Sequence, residues 1–381
     1  MSLAIVQSRR ANRLLLIAIK HPEGLPALPE ADWDLLIRVA RRVRLLGRLE
    51  AELNRTGLMS EIPARAATQL KAARNVIRHR GTLVAWEVNR ILWALKGVDA
   101  PIILLKGAAY VLADLPPARG RIFADVDLLV PERRIQEIEE KLVSRGWMKL
   151  TIEPYDDRYY RVWMHEIPPL RHRERGTEID LHHRILPRTS RLKSDPAPLF
   201  DAMRPLEGGR LHVLASADMV LHSLVHLLLE CDPREGLRLR DLLDVHLLLE
   251  HFGREQGFWD GLAPRARQLG LERPLFYGLR FARKFFDTQI PESVLSTVDE
   301  AKPRRLVRWL MDRLVTLAIL PGHPDYRSPK AALARSLLYL RAHWMRMPPL
   351  LLARHLAYKG YLRFRGVRGS VDLTKLDLRQ Q

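Results

Sequence analysis

Residues 103–134 read ILLKGAAYVLADLPPARGRIFADVDLLVPERR, and the stretch places Asp125 and Asp127 inside an otherwise apolar run. Aspartate is depleted in β-strands, yet FADVDLLV otherwise has the composition of a buried strand. Side chains two residues apart on a strand point to the same side, so both carboxylates project together, opposite Val126. Like charges on one face repel unless protons or a cation neutralise them.

A further acidic strand position occurs downstream, at Asp180 in TEIDLHHRI. Ile179 and Leu181 flank it as strand residues, so we expect Asp180 on a strand beside Asp125 and Asp127. Oxygen ligands at this spacing suit Mg²⁺ or Mn²⁺, which also bind nucleotide phosphates. Taken alone, the D-x-D pair is equally compatible with one aspartate capping a turn and the other pairing with an arginine.

The segment LLKGAA precedes the aspartates and predicts a strand that leads through Gly107 into a helix, AAYVLADL. Backbone N–H groups at the start of a helix favour bound phosphate. A glycine turn of this kind and the third carboxylate at Asp180 together favour a metal and phosphate site over a purely structural role for the aspartates.

The order of strand, glycine, helix, D-x-D strand and later strand with one aspartate resembles the polymerase-β-type nucleotidyltransferase superfamily. More narrowly, LKGAAY, R-x3-DVDLLV, a helix ending in RGW, and EIDLHHRI resemble an uncharacterised nucleotidyltransferase family with LKG, DIDLLV and VDLHW-like motifs. The close resemblance covers roughly residues 100–190, with weaker likeness in the helices up to about 250. The combined set of motifs is fairly specific, whereas each motif alone is not.

The resemblance implies that Asp125 and Asp127 ligate metal ions, Mg²⁺ or Mn²⁺, that bridge a nucleoside triphosphate. Asp180 would hold the second metal and help to activate an attacking hydroxyl. Gly107 would let the backbone approach the phosphates closely.

Three further side chains are candidates for nucleotide binding. Lys106 and Arg121 are positioned for phosphate contacts, although a lysine or arginine on a loop is commonly only solvated. His182 shares the strand face of Asp180, so it either orients Asp180, contacts substrate, or packs at the end of the strand.

One position departs from the superfamily pattern, in which serine usually follows the motif glycine. Here the residue is Ala108, and the gap from Gly107 to Asp125 is longer than in the commonest pattern.

The function that the resemblance implies is transfer of a nucleoside monophosphate from an NTP to an unknown acceptor hydroxyl on a protein, small molecule, sugar or RNA. The alternative is a catalytically silent nucleotide-binding or scaffold protein in a biosynthetic or toxin–antitoxin-like system.

Length and composition indicate an ordinary globular protein of two or three domains, with 381 residues and 47% hydrophobic content. A single cysteine, Cys231, excludes an internal disulfide and suits a reducing cytoplasm. We find no signal-peptide pattern, and no stretch reaches the ~18 uninterrupted apolar residues of a membrane-spanning helix. We therefore expect a cytoplasmic protein.

The net charge of +19 is concentrated near the C-terminus, where residues 302–368 hold fifteen Lys and Arg against Asp312 and Asp325. A segment of this charge suits nucleic acid, an anionic membrane surface or an acidic partner. A solvated basic face on ordinary helices accounts for it equally well, and no nucleic-acid-binding motif accompanies it.

Hydrophobic spacing divides the chain into four regions and predicts an α+β fold. Residues 1–97 read as helical, with one helical pattern over 31–57 and a second helix from Pro63 to Leu95. Strands and helices alternate in a small mixed-sheet nucleotidyltransferase-like domain at 98–205, including strand candidates WMKLTIEP and TEIDLHHRI. A helical region follows at 206–300, and a basic helical region at 301–381.

Other potential ligands lie in the helical region after residue 216. His222 and His226 are four residues apart on a predicted helix, a spacing that also occurs in metal sites. The surrounding leucines and the lack of an H-E-x-x-H motif favour packing roles for them and for the nearby Asp241 and His246. We expect Asp244 to pair with Arg238 or Arg240, and Cys231 to be structural. The full set is His222, His226, Cys231, Asp241, Asp244 and His246.

Overall fold

The computed structural model describes residues 3–123, 125–150, 154–231 and 236–364. Ala124 of FADVDLLV, residues 151–153 of WMKLTIEP and the last residues of the basic region, 365–381, lie outside the described residues. In the described chain, helices surround one mixed sheet, which confirms the α+β class predicted from the sequence.

The described residues form one seven-stranded sheet. The strands are β1 (Ile102–Leu104), β2 (Asp125–Leu129), β3 (Trp147–Lys149), β4 (Leu170–His172), β5 (Glu178–His182), β6 (Arg204–Pro205) and β7 (Leu211–Val213). Their order across the sheet is β3–β4–β5–β2–β1–β7–β6. Strand β2 runs parallel to β5, and β1 runs parallel to β7, whereas the other neighbouring pairs are antiparallel.

Helices precede, interrupt and follow the sheet. Within the described ranges they are α1 (Leu3–Lys20), α2 (Glu30–Arg42), α3 (Leu46–Arg55), α4 (Ala64–Ala94), α5 (Lys106–Leu112), α6 (Ile135–Ser144), α7 (Pro154–Trp163), α8 (Ala197–Asp201), α9 (Ser216–Leu229), α10 (Leu239–Phe252), α11 (Phe258–Gln268), α12 (Glu272–Phe286), α13 (Glu292–Val298), α14 (Arg305–Ile319), α15 (Pro329–Arg346) and α16 (Pro349–Phe364). Short 3₁₀ turns join several of them. Of the described helices, none has the length and apolar character needed to cross a bilayer.

The predicted helix from Pro63 to Leu95 is confirmed as α4, which packs on α5, α6 and β2. The continuous helical pattern over residues 31–57 is instead two helices, α2 and α3. The chain breaks at Arg44, which has a left-handed φ of 59°. A turn at Arg44 therefore separates two helices, although the hydrophobic periodicity of the sequence continues through it.

The sheet extends past residue 205, into the region 206–300 that the sequence predicts to be helical. Strand β7, at Leu211–Val213, pairs in parallel with β1 in the centre of the fold. Three-residue strands such as β4 and β7 carry too little periodicity to be recognised in a sequence. The buried core also continues from α1 through the sheet to α15, so the four regions share one hydrophobic interior.

The basic C-terminal region is attached to the sheet domain through the loop after β5. The Arg191 N–H donates to the carbonyl of Met345 at 2.8 Å, and Thr189 Oγ1 donates to the carbonyl of Arg346 at 2.7 Å. Helix α15 also packs against α9. These contacts place the end of α15 beside the loop that follows the strand carrying Asp180.

The loop that leads into β2 lies against α3 through two glycines, Gly47 and Gly120. Gly120 has a φ of +76°, and an added Cβ would lie 2.3 Å from the carbonyl oxygen of Gly47. Such a contact is too short for any real side chain. The close approach fixes the path of the chain just before Arg121.

We expect Gly120→Ala to lower the free energy of unfolding by about 2–4 kcal/mol, because it combines left-handed strain with a backbone clash. Gly57→Ala is the matched control, since Gly57 also has a φ of +76° but has no atom within 4 Å of an added Cβ. It should cost only about 1–2 kcal/mol. Denaturant unfolding measures both, and equal losses would show that the contact with Gly47 is unimportant.

Candidate active site

A row of three carboxylates, the carboxylate row, lies on one face of β2 and β5 and consists of Asp125, Asp127 and Asp180. In the parallel pairing of β2 and β5, Asp127 lies directly opposite Asp180, and Asp125 lies opposite Glu178. Val126 is buried on the other face. The prediction that Asp180 lies on a strand beside the D-x-D pair is therefore confirmed.

The row runs from solvent into the protein. Asp125 is exposed, Asp180 is half-buried, and Asp127 has only 3% of its surface exposed. Although Asp125 is accessible to solvent, the surrounding protein and the neighbouring Asp127 carboxylate raise its pKa. The carboxylates thus line a site that opens at the Asp125 end.

Lys106 is the cation nearest to Asp127, with its Nζ 2.9 Å from Asp127 Oδ1. The Leu105 N–H donates to the Asp127 carbonyl at 3.0 Å, which holds the start of α5 over β2. Lys106 itself has a left-handed φ of 45°, a costly conformation for a lysine. The backbone therefore directs this side chain toward the carboxylate row.

Charge is distributed unevenly between the two facing aspartates. Burial alone raises the pKa of Asp127, but Lys106 and a hydrogen bond from His182 outweigh it and hold that pKa below its usual value. The pKa of Asp180 is raised well above its usual value by burial, by Glu166, and by Asp127 and Asp125. Asp127 is therefore compensated by Lys106 and His182, whereas Lys106 only partly offsets the burial and the acidic neighbours of Asp180.

The structure places further carboxylate and imidazole groups beside Lys106 and His182 that the sequence analysis did not identify. Glu166 Oε2 lies 3.4 Å from His182 Nδ1, and Glu230 Oε2 lies 4.0 Å from Lys106 Nζ. His165 Nε2 lies 3.7 Å from Glu230 Oε1. Glu166 precedes β4 and Glu230 follows α9, so no local pattern links either to the D-x-D motif. Glu178 could have been found, because it precedes Asp180 by two residues on the same strand.

His182 lies on the site face, as its spacing from Asp180 predicts, but its contact is with a different aspartate. Its Nε2 lies 3.1 Å from Asp127 Oδ1, and the side chain is almost fully buried. His182 therefore positions Asp127.

Gly107 and Ala108 are both buried at the start of α5. A Cβ on Gly107 would lie 2.2 Å from the ring of Phe123, so the glycine is required by close packing between α5 and the segment before β2. Ala108 is 1% exposed and belongs to the core. A hydroxyl at this position would point into apolar surroundings, which explains why alanine fits here.

Arg121 lies in the predicted domain, but its side chain pairs with acidic residues of α10. Its guanidinium forms an ion pair with Asp244, lies 3.8 Å from Asp241, and stacks over Tyr110 at 5.7 Å. The expected pairing of Asp244 with Arg238 or Arg240 is wrong, since those arginines contact Asp241 instead. Tertiary packing of the loop before β2 onto α10 decides these partners.

We expect Arg121→Met to lower the free energy of unfolding by about 3–5 kcal/mol, because it removes the ion-pair partner of the buried Asp244. Arg119→Met, two residues earlier on the exposed surface, should change stability by no more than about 0.5 kcal/mol. Thermal and denaturant unfolding compare the two. A stable Arg121→Met protein with a raised KM for NTP would instead assign Arg121 to phosphate binding.

His222 and His226 lie on α9 and His246 lies on α10, whereas Cys231 follows α9. His226 Nδ1 lies 2.5 Å from Glu230 Oε2, and its Nε2 lies 3.7 Å from Asp241 Oδ2. His222 is buried, and burial with the nearby Lys106 lowers its pKa well below the usual value. His246 Nδ1 lies 2.8 Å from Thr288 Oγ1. Cys231 is buried, consistent with a structural role.

Comparisons with known proteins gave a match to a family model. No curated protein and no solved structure matches the chain. A family model described as "Uncharacterised nucleotidyltransferase" matches residues 29–287, which include the whole carboxylate row, Lys106 and the helices that carry Glu230 and Asp241. The match supports a general nucleotidyltransferase function. With most of its length covered, the chain belongs to this uncharacterised nucleotidyltransferase family.

Proposed function

We propose that the protein is a Mg²⁺-dependent nucleotidyltransferase that moves a nucleoside monophosphate from an NTP to an acceptor hydroxyl and releases pyrophosphate. The observation that carries the proposal is the pairing of Asp127 with Asp180 on adjacent parallel strands, with Asp125 on the same face. Membership of the nucleotidyltransferase family supports the same reaction class.

The residues present fit a hard divalent cation. Asp125, Asp127 and Asp180 offer oxygen ligands only, which is the donor type that Mg²⁺ and Mn²⁺ prefer. The raised pKa of Asp180 reflects burial among like charges, which a bound cation would relieve. Bound there, Mg²⁺ supplies charge neutralisation and alignment for phosphoryl transfer.

The chain's own residues have separate roles in this proposal. The Lys106 ammonium, held beside the row by the α5 backbone, supplies positive charge for the phosphates. Asp180, as a ligand of the second metal ion, would help to activate the acceptor hydroxyl. His182 holds Asp127 in place through its Nε2.

The test uses the full-length protein with each of the four NTPs labelled at the α-phosphate, in Mg²⁺ or Mn²⁺. Release of pyrophosphate and transfer of label to an added acceptor, or to the protein itself, are measured together. We expect metal-dependent pyrophosphate release with at least one NTP. Intact NTP under all conditions, with candidate protein, sugar, small-molecule and RNA acceptors present, would contradict the proposal.

A second function, nucleotide binding without turnover, is favoured by one observation. Lys106 Nζ and His182 Nε2 both contact the same Asp127 oxygen, at 2.9 and 3.1 Å, so they compete with a metal ion for it. Calorimetry with NTP and Mg²⁺ separates the two functions. Saturable binding with no pyrophosphate release supports the silent form, and turnover excludes it.

A further inference from the structure

A second group of donor atoms lies beside the carboxylate row and differs from it in chemistry. His165, Glu166 and His182 each offer one nitrogen or oxygen ligand atom, and these three atoms all lie within 4.8 Å of one another. The two histidines are 4% and 1% exposed, and Glu166 is half-buried. Two imidazoles with one carboxylate are a ligand set of Zn²⁺ and its first-row neighbours, whereas Mg²⁺ prefers oxygen.

The distances are close to those of a formed site. Ligand atoms ~2.0–2.2 Å from a tetrahedral zinc lie roughly 3.3–3.5 Å from one another. The pair His182 Nδ1 and Glu166 Oε2 meets this at 3.4 Å, and His165 Nε2 lies 3.9 Å from the same oxygen. Glu230 Oε1, at 3.7 Å from His165 Nε2, is a further donor on the same side.

Backbone hydrogen bonds hold the three ligands in this arrangement. The Ile167 N–H donates to the carbonyl of Leu181 at 3.0 Å, and the His183 N–H donates to the carbonyl of His165 at 2.9 Å. Glu166 consequently forms an antiparallel bridge with His182. The site therefore does not depend on flexible surface side chains meeting by chance.

The hydrogen bonding of His182 leaves one ring nitrogen directed at Glu166. If Nε2 donates to Asp127, the neutral ring carries its lone pair on Nδ1. Within the described residues this buried Nδ1 has no hydrogen-bond partner, although a carboxylate oxygen faces it. Two acceptors face each other there unless a cation or proton lies between them. A histidine that binds metal through one nitrogen and a carboxylate through the other is a common arrangement.

We propose that His165, Glu166 and His182 bind one divalent transition-metal ion of the zinc class, distinct from the Mg²⁺ of the carboxylate row. The ion fixes the His182 ring and, through its Nε2, the position of Asp127. The competing explanation is a proton on His182 Nδ1 that is shared with Glu166, and the experiment distinguishes the two.

The experiment titrates the metal-stripped, full-length protein with Co²⁺, whose visible absorption reports coordination by nitrogen and a low coordination number. We expect one equivalent of Co²⁺ to give an intense visible band that Zn²⁺ abolishes and excess Mg²⁺ does not. His165→Ala is the main variant, because His165 does not contact Asp127, and it should weaken Co²⁺ binding at least about tenfold. Glu166→Gln should do the same.

Two controls separate this site from other binding. Asp125→Asn should keep the Co²⁺ band, because Asp125 belongs to the carboxylate row. His79→Ala removes an exposed histidine and should also leave the band unchanged. No stoichiometric band, or a band unaffected by His165→Ala and Glu166→Gln, would overturn the proposal in favour of the shared proton. The readout needs no NTP turnover, so it stands or fails independently of the proposed function.

Discussion

Asp127→Asn will lower the rate of Mg²⁺-dependent pyrophosphate release by about 10³-fold or more, since metal stabilisation of the transferring group supplies several kcal/mol. Asp127 is the most deeply buried member of the row and lies in register with Asp180, so in the proposed metal site it is the ligand that other side chains could least replace. Pyrophosphate release at saturating NTP and Mg²⁺ measures the effect.

Loss of activity could also follow from misfolding, because Asp127→Asn leaves the Lys106 ammonium poorly compensated. Asp125→Asn distinguishes misfolding from loss of the proposed metal ligand. Asp125 is exposed, so its substitution perturbs packing less, and we expect a comparable loss of turnover with near wild-type stability. Asp114→Asn, which removes an exposed carboxylate just after α5, is the control and should keep full activity. Wild-type turnover in both Asp125→Asn and Asp127→Asn would refute the proposed metal site.

Below the raised pKa of Asp180, the affinity of the protein for Mg²⁺ will rise about tenfold with each unit of increasing pH, because binding must displace one proton. The cause is the burial of Asp180 among Glu166, Asp127 and Asp125. Calorimetry in buffers of different ionisation enthalpy counts the protons released. Asp180→Asn removes the titrating group, and it should abolish this proton release as well as most of the turnover.

The raised pKa of Asp180 also makes the free energy of unfolding of the metal-depleted protein depend on pH. Because the folded pKa of Asp180 is raised, the folded chain binds this proton more tightly than the unfolded chain. The stabilising contribution is therefore complete below the unfolded pKa of about 4 and is lost as the pH rises through the folded pKa. Asp180→Asn should remove this loss of stability with rising pH, and excess Mg²⁺ should reduce the loss in the wild-type protein. An unchanged pH profile in Asp180→Asn would show that Asp180 is not the linked group.

Much of the candidate site could be predicted from short-range sequence patterns. The two-residue spacing of Asp125 and Asp127 places both on one strand face, and the same spacing relates Asp180 to His182. These relations depend only on the geometry of an extended chain. Family motifs then identified β2 and β5 as the two strands that carry the acids.

The partners of the basic residues could not be predicted in the same way. Arg121 binds Asp244 on α10, more than a hundred residues away, and Lys106 turns toward Asp127. Ion pairs between distant segments follow from how helices pack on the sheet, and the sequence contains no periodic signal for that packing. The same reason explains why Glu166 and Glu230 were missed.

The sequence by itself determined the α+β class, the acidic strands and the glycine at the start of α5, because strand alternation and helix periodicity are local properties of the chain. Only the tertiary structure decided which cations compensate which acids. It alone brought His165, Glu166 and Glu230 to the site, and it showed that Gly107 makes room for Phe123. Burial and charge act over a few ångströms in space, whatever the separation along the chain, so these features depend on contacts that form only when the sheet and its helices are assembled.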